Sequence, residues 1–491
     1  MSTIDIMGSF ADPNGLDQSA AKLVNVRVVP RSPAEGKAAK MRFIGAPGLD
    51  VVCRPSTAPC IAIGHALKTI WTGHADGSIW SGVETGTPLL AGFVAVDSVQ
   101  PIIRFAEDRT ALVIATNKNT INAALAGTGY TATISGGVVN AGLDASINFD
   151  PSAAAILDNF TVWAGASNFY SNQDSKMFSS VALAPANVPG LNFATKEARA
   201  DKVIDLAISG RILWPLGSRS LEQWYDPGAA TDFAFTAYPN SLISVGIAAR
   251  LSLAVLRDNI GFVATDRRVW ICNGQSGQPV SPMWVDLLLQ SLSTTQLSTL
   301  TAYAYGHGGN DFYVLTLPGQ WSIELSSSTG VWSYRQSPGR LDHAARCATE
   351  HDGGVTYVGL DTGHVCTTDI NNAAEPAGTL ARTIITPWAG GSAGNLISAG
   401  KNGQETRQTF DSIDVTSSMG PAAGTFQLDW SEDRGVTWRG VRHVTLPQPG
   451  TSRAIARNFG TGRRRQFRLQ YSGTQAPFTF DEIFAIVSPG T

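Results

Sequence analysis

A short hairpin pattern recurs along most of the chain and limits what it can fold into. Its two cleanest copies are HADGSIWSG at 74–82 and ATDRRVWICNG at 264–274. Each is an apolar strand, a turn opened by Asp76 or Asp266, and an apolar pair ending in Trp80 or Trp270. Fainter turns of the same kind lie near Lys118, Asp174, Ser218, Gln320 and Asp361. The six intervals from Asp76 to Asp361 average about 47 residues, the length of a four-stranded propeller blade. Seven such turns predict an all-β chain built on a six- or seven-bladed β-propeller. A series of β-sandwiches is the alternative. Apolar runs with little alternation favour blades, because a blade buries both its faces against its neighbours.

Composition agrees with that class. Among 491 residues there are 50 glycines and 25 prolines, and only 15% are charged, which suits many turns and few long solvated helices. The formal net charge of −3 gives no global field that would draw nucleic acid or a membrane surface. Cys53, Cys60, Cys272, Cys347 and Cys366 are odd in number, scattered and without a C-x-x-C pair. They read as buried reduced thiols and not as a disulfide framework or a zinc site. The start, MSTIDIMGSFADP, has neither a basic nor an apolar signal region, and no window approaches the ~18 apolar residues of a spanning helix. The expectation is a soluble product made in a cytoplasm, with no membrane insertion.

Four regions follow. Residues 1–45 are polar and turn-rich, with one strand expected at Leu23–Val29 before Pro30 and Pro33, and read as an N-terminal arm. Residues 46–388 are the expected propeller, with a short helix expected over Trp284–Leu292. The Gly/Ser/Asn-rich stretch inside 389–405 reads as a linker. Residues 406–491 carry six alternating segments, at Gln408–Val415, Thr425–Trp430, Arg439–Leu446, Thr451–Asn458, Gln466–Tyr471 and Phe478–Val487. They predict an antiparallel, sandwich-like C-terminal β domain.

The most specific stretch is Gly217–Ser293. It contains GSRSLEQWYDPG, then FAFTAYPNSLISVGIAA, then DNIGFVATDRRVWICNGQSGQPVSP with its helical follow-on. These pieces resemble the tail hub (nozzle) proteins of short-tailed double-stranded DNA phages, also called tail accessory or packaged-DNA stabilisation proteins. Weaker matches lie at Val24-Asn25-Val26, at Pro47-Gly48-Leu49, and in the C-terminal SEDRGVTW and arginine-rich segments. Where the family usually has Ile-Ser-Thr before the helix, this chain has Val280-Ser281-Pro282. The resemblance implies a virion protein assembled in the host cytoplasm as a homohexameric ring below the portal and its adaptor. Such a ring continues the DNA channel, helps retain the packaged genome and anchors needle, plug, fibre or spike proteins. Genomic DNA would pass through its lumen without sequence-specific readout. It also implies that the subunit can remain monomeric until it docks.

Chemistry-bearing motifs are few. Ser431, Asp433, Gly435, Thr437 and Trp438 fit the S-x-D-x-G-x-T-W box of sialidase-type propellers. In that box the Asp and Ser side chains satisfy turn amides and Gly permits positive φ, so it staples a hairpin and does no chemistry. A sialidase would also need several arginines around a carboxylate and a Tyr nucleophile. Gly390-Gly391-Ser392-Ala393-Gly394 has the letters of a hydrolase elbow but neither the entering strand nor the departing helix. The seven histidines show no metal-binding spacing, and no phosphate-cradling or EF-type loop exists. No catalytic residue, cofactor or metal ligand is expected. A propeller-type glycan-binding protein or glycoside hydrolase is the rival reading.

The sharpest charge feature is C-terminal. Between Asp433 and Asp481 there is no acidic residue but nine arginines: Arg434, Arg439, Arg442, Arg453, Arg457, Arg463, Arg464, Arg465 and Arg468. Residues 460–465 would place three of them on one outward loop tip. Arg forks suit bidentate carboxylate or phosphate contacts. Three readings stand: an assembly interface, the basic surface of an ordinary domain, and contact with passing DNA. Few aromatics interleave, which weakens a base-stacking surface.

Overall fold

The structure is a computed structural model. It describes residues 2–5, 21–30, 41–66, 68–94, 96–97, 99–107, 112–116, 129–135, 138–144, 151–166, 175–184, 187–196, 201–228, 233–274, 276–351, 354–387, 407–419, 424–446, 450–473 and 478–489. The chain forms two compact bodies, one of residues 51–318 and 344–367, the other of residues 1–50, 319–343 and 368–491.

The first body is a propeller. Seven first strands pack side by side in a closed cycle: Cys60–Ala66, Ile103–Glu107, Pro151–Leu157, Val203–Ser209, Ile247–Leu256, Thr301–His307 and Ala345–His351, the last beside the first. They begin blades 1 to 7, which settles the count at seven. Blades 1 to 5 are antiparallel four-stranded sheets. Blade 6 contributes Thr301–His307 and Asn310–Leu317 to this body, and blade 7 begins Ala345–His351, Val355–Leu360, Val365–Asp369. Second strands are buried along their length, as in Ile212–Gly217 and Asn259–Ala264. The continuous apolar runs follow from that.

The turns at Asp76, Ser218, Asp266 and Asp361 fall between the second and third strand of a blade, and the one near Gln320 follows the second strand of blade 6. Those near Lys118 and Asp174 lie outside the described residues. In blade 1 the Asp76 carboxylate accepts from the backbone N–H of Ser78 at 3.0 Å, and Gly77 has φ +83°. In blade 5 Asp266 accepts from the N–H of Arg268 at 3.1 Å and from the Trp270 indole at 2.9 Å. Arg267 takes the left-handed position there with φ +60°, and its guanidinium donates to the Leu289 and Gln290 carbonyls at 3.2 and 3.1 Å. Those carbonyls end the helix Met283–Gln290, the one expected from Trp284 to Leu292.

The second body is a sandwich. One sheet holds, in order, Val26–Pro30, Met41–Gly45, Phe478–Pro489, Gln408–Met419 and Gly450–Gly462, with Ser2–Asp5 also pairing Phe478–Pro489. The other runs Trp321–Ser326, Trp332–Tyr334, Lys22–Val24, Arg382–Ile385, Gln466–Tyr471, Gly424–Ser431, Arg439–Leu446. Phe410, Phe426, Phe467 and Phe480 fill the space between them. All six C-terminal strands form where alternation placed them.

Two expectations change. Residues 1–45 are not simply an arm, because Leu23, Val26, Val28 and Phe43 are buried in the sandwich core. Nor is the sandwich made of 406–491 alone, since 319–343 and 368–387 belong to the same body. The cause is pairing between strands distant in sequence, such as Leu23 with Ile384. The expected linker 389–405, with Ser392, lies outside the described residues.

Candidate functional site

The family-like fragments resolve into structural locks. Asn25, with φ +53°, sits where the chain leaves one sandwich sheet for the other. Its side-chain amide donates to the carbonyls of Gln336 (3.0 Å) and Ala381 (2.9 Å) and accepts from the N–H of Gln336 (2.9 Å). A Cβ on Gly48 would lie 2.6 Å from the Asn372 carbonyl oxygen, so only glycine fits there. Just after the last strand of blade 3, the Lys196 ammonium is fully buried and reaches toward blade 4, donating to Asp201 (3.1 Å) and to the Ser220 carbonyl and hydroxyl (2.6 and 2.7 Å). Asp201 also accepts from the N–H of Arg219 and the Ser220 hydroxyl. A side chain on Gly217 would strike both Asp201 and Lys196. Gly217 and Ser220 of the GSRS segment therefore enclose the buried Lys196–Asp201 ion pair.

Charge also meets on the propeller's inner strands. Arg104 of blade 2 donates through Nε and Nη2 to Asp205 of blade 4 at 3.0 and 2.8 Å, reaching past blade 3. Arg250 of blade 5 joins the same carboxylate at 3.3 Å. Burial pulls the Asp205 carboxyl upward, but Arg104 and Arg250 outweigh it and hold it below its ordinary value. Two arginines and a carboxylate are part of what a sialidase-like pocket requires. Here, however, the arginines converge on a carboxylate that is 1% exposed, and Arg104 also meets the Arg250 carbonyl. They lock one another instead of framing open space.

The box at 431–438 folds as a hairpin staple. The Ser431 hydroxyl donates to Asp433 at 2.7 Å and accepts from the N–H of Gly435 at 2.8 Å. Asp433 also accepts from the N–H of Thr437 at 2.8 Å, and Gly435 has φ +78°. The Thr437 hydroxyl and N–H and the Ser431 hydroxyl hold the exposed Asp433 carboxyl down at about 2. Trp438 lies under the Arg468 guanidinium, 4.3 Å from its ring centroid.

The nine arginines separate into two groups. Arg465 is 4% exposed and turned inward, donating to Glu432 at 3.0 and 2.8 Å and to the carbonyls of Phe459, Gly460 and Thr461. The expected outward tip is therefore wrong for Arg465. It sits where the chain crosses from Gly450–Gly462 in one sheet to Gln466–Tyr471 in the other, and it closes that crossing. Arg468 grips Asp429 through two bonds of 2.9 and 2.5 Å, and Arg453 pairs with Asp414. Those acids lie upstream of the acid-free window, so a count along the sequence missed them. Arg464 is half-buried.

Arg434, Arg439, Arg442, Arg457 and Arg463 are exposed. Arg439 and Arg442 stand on Arg439–Leu446, the edge strand of one sheet, and Arg453 and Arg457 on Gly450–Gly462, the edge strand of the other. The two edges approach each other. Val436, Val441 and Ile455 are exposed among them, at 80%, 49% and 39%. This double edge brings together edge-strand backbone, guanidinium forks and small exposed apolar side chains. Among the described residues no group of three or more His, Cys, Asp and Glu could hold a metal ion. Nor, among the described residues, is any helix long and apolar enough to cross a membrane.

A seven-bladed propeller joined to an arginine-edged sandwich, with its conspicuous polar clusters spent on internal locks, has the character of a structural component. The family model described as "Bacteriophage P22 Gp10, beta-propeller" matches residues 92–376, more than half of the chain. The chain belongs to that family and is a structural protein of a phage tail, associated with the virion. Similar solved structures include BamB from Moraxella catarrhalis, 12% identical over 71% of this chain and 97% of that one, with a TM-score of 0.39. YCF48 from Cyanidioschyzon merolae is 12% identical over 66% and 99%, with a TM-score of 0.41. The WD40 propeller domain of Doa1 is 11% identical over 66% and 97%, with a TM-score of 0.39. No curated protein sequence matches the chain.

Proposed function

We propose that this protein is the tail hub, or nozzle, of a short-tailed phage. Six copies form a ring below the portal and adaptor that continues the DNA channel, helps retain the packaged genome and anchors fibre, spike, needle or plug proteins. Family membership supports the tail role. The observation that carries the assembly mechanism is the double sandwich edge, where Arg439, Arg442 and Arg457 stand exposed. Their forks take carboxylates of a sister subunit or neighbouring tail protein, and rotation closes the subunits into a ring. DNA passes without readout of its bases. The protein turns over no substrate, because its inner-strand arginines are committed to Asp205 and its Asp433 box to a hairpin.

The test is particle mass and symmetry, measured by mass photometry and electron microscopy on the purified protein, alone and with an extract containing the other tail proteins. The expected result is a sixfold ring in the extract, whether or not the free protein is monomeric. A protein that stays monomeric in the extract and is absent from purified tails would overturn the proposal.

A further inference from the structure

The propeller closes where its first and last blades meet, and that seam holds two cysteines. Cys60 opens the first strand of blade 1, Cys347 lies in the first strand of blade 7, and these strands are neighbours in the ring. Their sulfurs are 3.9 Å apart, with the residues 287 positions apart in sequence. Both strands carry a register shift at the cysteine, between Cys60 and Ala62 and between Ala345 and Cys347. An irregularity of this kind re-aims the side chains beside it. Gly359, on the second strand of blade 7, makes the space, since a Cβ there would lie 2.7 Å from the Cys347 sulfur and closer still to that of Cys60. Cys60 is fully buried and Cys347 partly exposed, so Cys347 is the residue of the pair that an oxidant meets first.

We infer that Cys60 and Cys347 form a latent disulfide site that covalently latches the propeller ring when the protein meets a low-molecular-weight disulfide such as oxidised glutathione. The Cys347 thiolate attacks one sulfur of the oxidant, forms a mixed disulfide and releases one glutathione thiolate. Cys60 then loses its proton and attacks the Cys347 sulfur. The Cys60–Cys347 bond forms, the mixed disulfide breaks, and the second glutathione leaves. Two electrons and two protons pass in all from the protein thiols to the oxidant, giving two molecules of reduced glutathione. In the reduced protein, contact with Cys347 and burial push the Cys60 thiol well up; burial persists in the mixed disulfide, so the second step is the slower one. Such a latch suits a part assembled in a reducing cytoplasm and released into oxidising surroundings.

The test uses the full-length protein, incubated with oxidised glutathione under native conditions, then alkylated, denatured and mapped by mass spectrometry. The reduced chain has five thiols, and the expected product has three, with Cys60 and Cys347 joined. Its melting temperature should lie above that of the reduced protein and return after dithiothreitol treatment. C60S and C347S, each checked for a folded β spectrum, should show no such rise. C60S should stop at the Cys347 mixed disulfide, which reports accessibility even if the variant is less stable. Five thiols remaining in the wild type, a wild type that stops at the mixed disulfide, or a linkage between other cysteines would overturn the inference.

Discussion

The propeller and the sandwich use arginine in opposite ways. In the propeller, Arg104 and Arg250 share the buried Asp205 carboxylate across three blades. In the sandwich, Arg465 and Arg468 are also consumed by local acids, but Arg439, Arg442 and Arg457 stand exposed on edge strands. The difference is geometric. A closed ring of blades has no free first strand, so an arginine there can face only the axis or a neighbour. A sandwich ends in edges, and an edge can take a partner. Charge that stabilises one body therefore stands exposed on the edges of the other.

The largest break in that comparison should come from Asp205→Asn. It strips the shared partner from two arginines, and unfolding in guanidinium should show a loss of about 3–5 kcal/mol. A loss below about 1 kcal/mol would mean that the arginines find water instead. Because the folded Asp205 carboxyl titrates below its unfolded value of roughly 3.9, its contribution is complete above that pH. It is lost as pH falls through the lower folded value, and the variant should lack this part of the acid transition.

Arg465→Ser comes next. It removes bonds to Glu432 and to three carbonyls and should lower stability by about 2 kcal/mol, read by the same unfolding curves. Serine at Arg439, Arg442 or Arg457 should each change stability by less than about 0.5 kcal/mol. Asp433→Ala should produce a small drop in melting temperature confined to the hairpin. Its wild-type counterpart is fully present above pH ~4 and fades as the pH falls through about 2. Amide exchange at Gly435 and Thr437 is the sensitive readout for that change. Protection unchanged in Asp433→Ala would show that the staple does not depend on its carboxylate.

Much of the fold was legible because one periodicity governed each body. Where they are described, the turns at Asp76, Ser218, Asp266 and Asp361 mark the step from second to third strand, since those blades repeat one hairpin. The C-terminal strands alternate because each covers one core with one face, as Arg453, Ala454, Ile455, Ala456 and Arg457 do. What sequence order hid was pairing at a distance. Leu23 and Val24 looked like part of an arm because their partners, Ile384 and Thr383, lie more than 300 residues away. The arginine window looked unneutralised because Asp414, Asp429 and Glu432 precede it. The ion group of Arg104, Asp205 and Arg250 carries no motif at all, since ring closure alone brings its members together. The exposed arginines were legible as a composition, but which of them face solvent was decided by the sheets.

The measurement that tests the account most directly compares two variants in one assembly reaction. Arg439→Ser/Arg442→Ser/Arg457→Ser and Arg465→Ser are each mixed with purified tail partners at low and high salt, and incorporation into tails is counted by electron microscopy. The triple edge variant should melt like the wild type yet incorporate at least tenfold less, while wild-type incorporation falls as salt rises. Arg465→Ser should melt earlier but, below its melting temperature, incorporate normally. Normal incorporation of the triple variant at every salt concentration would contradict the claim that the sandwich edge is the assembly surface.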